Sequence, residues 1–246
     1  MQSKSYLVLK NGVPSQEESI PEHHVFTTIR VYMGKVLLWD WHEERLIHDT
    51  KVLGTSWVHS RIEIIKDVAQ KLQMGALRIT CTVDAWWIHA WETSINESKP
   101  LHTCWVEWEH LAPISACVKH GYRSFSRQLT KEKKVDVLLW KNTKEEVLEA
   151  SFGNLFSIVD GCIYTPPAQG DILDGIGRRT VLHVAKKIGM DIKETPVFVR
   201  QGGWWMTSAL RGLQRLDIST DDDCIVILRE EIERFLLSSF VRNEYK

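Results

Sequence analysis

Four short segments carry side chains whose types and spacing could do chemistry. In LEASFGNLF, which begins at Leu148, Glu149 ends an apolar run and is followed by small residues and Asn154. A carboxylate beside a core strand is costly unless it faces a cation, and a solvated strand-end glutamate is the ordinary alternative. ISACVKHGY sets Lys119 among apolar neighbours. Desolvation there would lower the amine's pKa and make it a nucleophile for an aldehyde, whereas a solvated lysine does nothing of the kind. GDILDGIGRR brings Gly175-Ile176-Gly177 to the start of a helix. Free N–H groups without an intervening Cβ suit an anion there, and a plain glycine turn has the same letters. In WHEERL, Arg45 is either a solvated helix charge or a phosphate clamp, since its fork of donors matches phosphate oxygens. HEERL lacks the second histidine of a zinc HExxH, so no metal site is expected.

These residues need elements to hold them. Tyr6–Leu9 reads as a strand closed by Asn11-Gly12, and His24–Tyr32 alternates, with Val25, Thr27, Ile29 and Val31 on one face and Phe26, Thr28, Arg30 and Tyr32 on the other. Met33-Gly34 turns the chain into Val36–Trp39. Asp40 with Glu43, and Ser60 with Glu63, have capping-box spacing, and Ile62, Ile65, Val68 and Leu72 recur at helical period. Strands are expected at Ala76–Val83, Thr103–Glu107, Val135–Trp140, Asn154–Val159, Cys162–Tyr164, Trp204–Thr207 and Leu213–Ile218. Asp160-Gly161 marks a hairpin. Gly177–Ile188 is a helix stopped by Gly189, and Arg229–Phe240 a closing helix. EHLAPISACV, residues 109–118, has neither period and reads as a crossover. The mixture predicts an α/β (α+β) protein in two parts: a small N-terminal domain over 1–110, a linker at 111–118 and a larger domain over 119–246.

The 246 residues suffice for a sizeable core, and the formal net charge of −1 offers no bulk attraction for nucleic acid or a membrane surface. Five scattered cysteines without a CxxC pair favour a reducing compartment, and no run is long enough for a signal peptide or a membrane span. Most of the eleven tryptophans are expected to pack the core and line one cleft or interface.

Taken in order, FTTIRVYMGKV, HEERL, LRIT, VKHGYR, LEASFGNLF with TPP, LDGIGRR and TSALRG resemble the fold-type IV pyridoxal-phosphate enzymes, the class IV aminotransferase family. The resemblance runs from about Val25 to Leu216. It implies pyridoxal 5'-phosphate as cofactor, held in a cleft between a small α/β domain and a larger domain with a barrel-like sheet. It makes Lys119 the Schiff-base lysine and sets Glu149 against the pyridine nitrogen, so the ring can act as an electron sink. Arg45 and the N–H groups of Ile176 and Gly177 would hold the phosphate, with Leu173 against the ring, the Ser208-Ala209 backbone completing the cradle and Asn154 near the cofactor. Thr28, Arg30, Tyr32, Arg123 and Arg211 are substrate-side candidates, all but Thr28 for carboxylates. His23, His24 and His42 are read as ordinary surface or edge histidines, with contact to substrate as the alternative.

Within the class, K-H-x-x-R at Lys119–Arg123 and F-T-T at Phe26–Thr28 look more like 4-amino-4-deoxychorismate lyase, an enzyme of folate biosynthesis, than like the transaminases. The other readings are an aminotransferase for a small, branched-chain or D-amino acid, and a degenerate binding module of the same fold. A cytoplasmic homodimer is implied. Three departures bear on substrate: SIPEHH stands where the family has a D-R-G-x-x-Y-G-D-G type stretch, WWIHAWET replaces a glycine- and arginine-rich loop, and Gly177 stands where threonine is frequent.

Overall fold

The computed structural model describes residues 7–16, 19–93, 99–108, 113–169, 171–220 and 223–242. Tyr6, residues 109–112 of the expected crossover, and Gly170 lie outside them. The chain divides into two compact units: Met1–Ile95 with Val118–Tyr122 and Leu236–Lys246, and Asn96–Cys117 with Arg123–Phe235. This division sets 118–122 with the N-terminal residues and 96–110 with the C-terminal ones, whereas the sequence reading divides the chain at 111–118.

The first unit is built on an antiparallel sheet of β1 (Leu7–Lys10), β2 (Val13–Pro14), β3 (Val25–Tyr32), β4 (Lys35–Val36), β5 (Gly75–Cys81) and β6 (Trp86–Trp91), in the order β2-β1-β6-β5-β3-β4. The alternation of β3 is realised in part: Val25, Thr27 and Ile29 are fully buried and Val31 nearly so, and on the other face Thr28 and Tyr32 are half-buried whereas Phe26 and Arg30 are buried too. Met33 and Gly34 both have positive φ, as a two-residue hairpin turn demands. Helices α1 (Trp39–Val52) and α2 (Ile62–Leu72) follow, and α2 buries the four residues its period predicts.

Both expected capping boxes are absent. Helix α1 starts one residue before Asp40, from Leu38 in the left-handed region, with no side-chain cap. Glu43 instead accepts hydrogen bonds from the Trp57 indole (2.9 Å), the Trp39 indole (3.2 Å) and His59 (2.7 Å). Ser60 falls in a 3-10 turn, His59–Arg61, ahead of α2, and Glu63 pairs with Lys66. The tryptophan-rich stretch read as a loop replacement is β6, which pairs with β1 on one side and β5 on the other.

The second unit contains β7 (Thr103–Glu107), α3 (Ser124–Lys133), β8 (Val137–Lys141), β9 (Val147–Ala150), β10 (Asn154–Val159), β11 (Cys162–Thr165), α4 (Ile176–Lys187), β12 (Ile192–Glu194), β13 (Trp204–Ser208) and β14 (Gly212–Arg215), and α5 (Asp223–Arg242) belongs to it through Phe235 and to the first unit from Leu236. The strands form two sheets, β7-β8-β9 and β12-β11-β10-β13-β14. Single bridges join the sheets at both seams, Ala150 to Gly153 and Leu101 to Leu216, and this gives the barrel-like form. Leu139, Val147, Leu155, Trp204, Met206 and Leu216 fill the interior. At the second seam Asp217 accepts from the N–H of Thr103 (3.1 Å) and its hydroxyl (2.5 Å), and hydrogen-bonds His102 Nδ1 (2.6 Å). Leu213–Ile218 was expected as one strand, but the ladder ends at Arg215 because Leu216 and Asp217 turn to this seam.

Candidate active site

The first unit assembles the Lys119 set. The Lys119 N–H donates to Asp49 Oδ2 (3.1 Å) and its carbonyl accepts from Phe26 N–H (2.9 Å), so the backbone is pinned to α1 and to the start of β3. His120 bridges Val25, and Gly121 N–H donates to the His24 carbonyl (2.8 Å). A Cβ on Gly121 would sit 2.1 Å from the His24 ring, so glycine is needed there and His24 serves as packing for the lysine segment. The Lys119 ammonium lies 5.4 Å from the Phe26 ring centroid, and the Arg78 guanidinium 4.7 Å from the same ring. An aromatic face toward two cations is favourable, and it restrains the lysine stem.

Arg45 projects from α1 and is 7 % exposed. Its Nη2 donates to Thr27 Oγ1 (2.5 Å), which also shares a 2.6 Å hydrogen bond with His42 Nδ1. His42, expected at a surface or edge, is buried at 2 % exposure, which corrects that reading. The helical spacing of His42, Arg45 and Asp49 puts all three on one face, and this was the available sequence signal for Thr27, His42 and Asp49 as supporting residues. On the opposite strand face Thr28 Oγ1 accepts from Arg78 Nε (3.2 Å), Arg30 is buried and Tyr32 is half-buried.

The second unit assembles the Glu149 set. Glu149 on β9 is half-buried, and its Oε2 accepts from Leu173 N–H (3.1 Å). Asn154 donates its amide to the Leu173 carbonyl (2.7 Å), and its Oδ1 would lie 2.2 Å from a Cβ on Gly175. Asn154 thus holds the turn that positions both Glu149 and the start of α4. That helix begins at Ile176 from Gly175, with no side-chain cap, so its first N–H groups have no side-chain acceptor. Gly177 has a second constraint, because a Cβ there would meet the Ser208 backbone at 2.7 Å and Thr207 Oγ1 at 2.8 Å. Thr207 Oγ1 is buried and makes no hydrogen bond among the described residues. Leu173 and Ile176 are buried, and Ser208 and Ala209 are half-buried at the end of β13.

Arg123 Nη1 donates to the Ser151 carbonyl (2.6 Å). Desolvation lowers its pKa from the ordinary arginine value, and the nearby Glu149 charge opposes that shift. Arg211 is exposed in the β13–β14 turn, its N–H donating to Ser208 Oγ.

The two sets fit pyridoxal phosphate in kind: a primary amine on a pinned backbone, a buried guanidinium, an uncapped helix N-terminus with no room for a side chain, and a carboxylate held by a backbone N–H. The chain matches the family model for amino-transferase class IV over residues 24–217. It is 26 % identical over 219 residues to "Aminodeoxychorismate lyase" of Bacillus subtilis, covering 76 % of this chain and 74 % of that protein. It is 24 % identical over 202 residues to "Probable branched-chain-amino-acid aminotransferase" of Rickettsia bellii, covering 72 % and 70 %. Its fold superposes on 4-amino-4-deoxychorismate lyase from Pseudomonas aeruginosa with a TM-score of 0.78 at 18 % identity, over 94 % of this chain and 99 % of that one. The chain belongs to the class IV aminotransferase family, whose members are pyridoxal-phosphate-dependent aminotransferases and lyases of fold type IV.

Proposed function

We propose that the chain is a 4-amino-4-deoxychorismate lyase, converting its substrate to 4-aminobenzoate and pyruvate with pyridoxal phosphate. The observation that carries this reading is the similarity to the Bacillus subtilis lyase across three quarters of the chain. Lys119 and Arg45 are assigned to the cofactor in the first unit, and Glu149, Leu173, Ile176, Gly177, Ser208 and Ala209 in the second. When bound, the cofactor withdraws electrons from the substrate carbon that bears the amino group.

The residues of the chain do the rest. Arg45 and the N–H groups of Ile176 and Gly177 hold the phosphate dianion, where a guanidinium and a helix N-terminus both favour negative charge. Glu149 keeps the ring nitrogen protonated, and the Leu173 N–H keeps that carboxylate in place. Lys119 would hold the cofactor through its aldehyde at rest and, once the substrate amine has taken its place and freed the lysine amine, would take the proton from the amino-bearing carbon of the substrate. Loss of that proton lets pyruvate leave from the adjacent ring carbon as its enol, and aromatisation of the ring drives the departure. Thr28, Arg30, Tyr32, Arg123 and Arg211 are assigned to the substrate side, with the arginines for its two carboxylates. The assembly is a cytosolic homodimer, and a hydrodynamic mass twice that of the chain is the expected result.

The similarity to the Rickettsia protein favours a second reading, an aminotransferase acting on a branched-chain or other small amino acid. One experiment separates them. Purified protein is titrated with pyridoxal phosphate, the visible spectrum is recorded, and aminodeoxychorismate and a panel of D- and L-amino acids are added in turn. A visible band absent from Lys119→Ala, with formation of 4-aminobenzoate, supports the lyase. Conversion of the cofactor to its amine form by an amino acid, without 4-aminobenzoate, selects the aminotransferase. A band that survives Lys119→Ala, or no band at all, overturns both and leaves a binding module.

A further inference from the structure

Arg61 ends the 3-10 turn before α2, and its guanidinium is held between two indoles. Its central carbon lies 5.2 Å from the Trp57 ring centroid and 5.1 Å from that of Trp86, and the two rings stand at 85° to one another. A guanidinium engaged through aromatic faces keeps its in-plane N–H donors for other partners. Among the described residues none of those donors has an acceptor. They border a cavity of about 270 Å³, whose wall also carries Asn11, Thr55, Ser56, Thr82 and Asp84. Asn11 uses its carbonyl on the Trp86 N–H (3.0 Å), which leaves its amide NH₂ as a donor. Asp84 lines the same cavity and forms no ion pair with Arg61 or with any other described cation. Cys81, at the cavity wall, contributes no charge at neutral pH, since burial pushes its thiol up to about 12 against the pull of Arg61.

The cavity therefore offers one cation and one anion that do not neutralise each other, with donors between them. We infer that it binds a small zwitterion of the α-amino-acid type, its carboxylate on Arg61 and its ammonium toward Asp84. A simple anion meets repulsion from Asp84, and a simple cation meets it from Arg61. The arginine lies over both indoles, so less side-chain freedom is lost when a carboxylate docks on its fork. None of the residues assigned to the cofactor lines this cavity, so the inference stands apart from the proposed reaction.

The test is a titration of the full chain with glycine and L-alanine, followed by the indole N–H resonances of Trp57 and Trp86 in ¹H–¹⁵N spectra, assigned through Trp→Phe variants. Saturable shifts of both resonances are expected. Arg61→Gln should weaken binding about tenfold or more and Asp84→Asn a few-fold, as loss of one charge-assisted contact does. Should Arg61→Gln fail to fold, Arg61→Lys keeps the cation on the indoles, loses the fork, and should still weaken binding. Acetate and methylamine, each with half of the zwitterion, should bind far less tightly than glycine. Lys119→Ala should leave the titration unchanged, which separates this cavity from the site assigned to the cofactor. No saturable shift, equal affinity for acetate and glycine, or binding unaltered by Arg61→Gln or abolished by Lys119→Ala would overturn the inference.

Discussion

Arg45 shows how much of a site is built by residues that never touch a ligand. Its guanidinium is buried, and Thr27 Oγ1 fixes its direction while bonded to the buried His42. Thr27→Val keeps the side-chain volume but leaves a buried charged donor without that acceptor. We expect a loss of about 1–3 kcal/mol in urea unfolding. Affinity for pyridoxal phosphate should also fall in a spectral titration, because Arg45 gains freedom to leave the rotamer proposed to hold the phosphate. Asp49→Ala should act differently: it frees the Lys119 backbone N–H, so the visible band should weaken more than the phosphate affinity. The letters of WHEERL and KHGYR marked Arg45 and Lys119 because the resemblance singles out those types. His42 was misread because an isolated histidine carries no sign of burial. Only its spacing to Arg45 and Asp49 on one helical face, set against the threonine of β3, reveals the hydrogen-bonded group.

Elements were legible where sterics leave one solution and obscure where a competing partner exists. Strand β3 and helix α2 follow from period alone, and Gly189 stops α4 at φ +77, as only a residue without a Cβ does freely. The Asp40 capping box failed because Glu43 was claimed by the Trp39 indole of its own helix and by Trp57 and His59 from beyond it. Helix α3 was missed because it buries no residue and so shows no apolar stripe. Strand β6 was missed because its tryptophans were compared with a family loop rather than read for pairing. The two kinds of glycine predict opposite outcomes. Gly177→Ala puts a methyl group 2.7 Å from the Ser208 backbone and must lift the start of α4 from β13. Pyridoxal-phosphate affinity should drop about tenfold or more, since the helix N–H groups are part of the proposed anion site. Gly189→Ala meets no atom within 4 Å, so it should cost only about 1 kcal/mol of stability and leave the cofactor titration unchanged.

For the molecule as a whole, the barrel-like unit depends on a polar latch. Partial burial pushes the Asp217 carboxyl up, but the hydroxyl and N–H of Thr103 and the His102 ring outweigh it, and its pKa lies below the usual value. A group whose pKa is depressed on folding stabilises the folded state above its unfolded pKa, and that stability is lost as pH falls through the folded value. Denaturation midpoints should therefore drop below about pH 4. Asp217→Asn should be less stable than the parent at pH 7 by about 1 kcal/mol and show a shallower acid slope. Equal acid slopes in the two proteins would show that the latch contributes nothing. This closure was not legible in the sequence, which placed Leu216 and Asp217 in a strand, because a seam joining residues 101–103 to 215–217 leaves no local pattern.

The same seam sets a timetable for synthesis. As the chain leaves the ribosome, β7 and β8 emerge early and can pair with each other, yet the edge beside Leu101 has no partner until Asp217 has been made. More than a hundred residues separate Leu101 from Asp217, and long-range closure of this kind is slow and exposed to aggregation. The sheet of the first unit faces a shorter delay, since it is complete at Trp91 and needs only Val118–Tyr122 to bring Lys119 onto β3. A stalled or truncated product ending before β14 would therefore carry a finished lysine segment beside an open, sticky half-barrel, a natural client for chaperones and proteases.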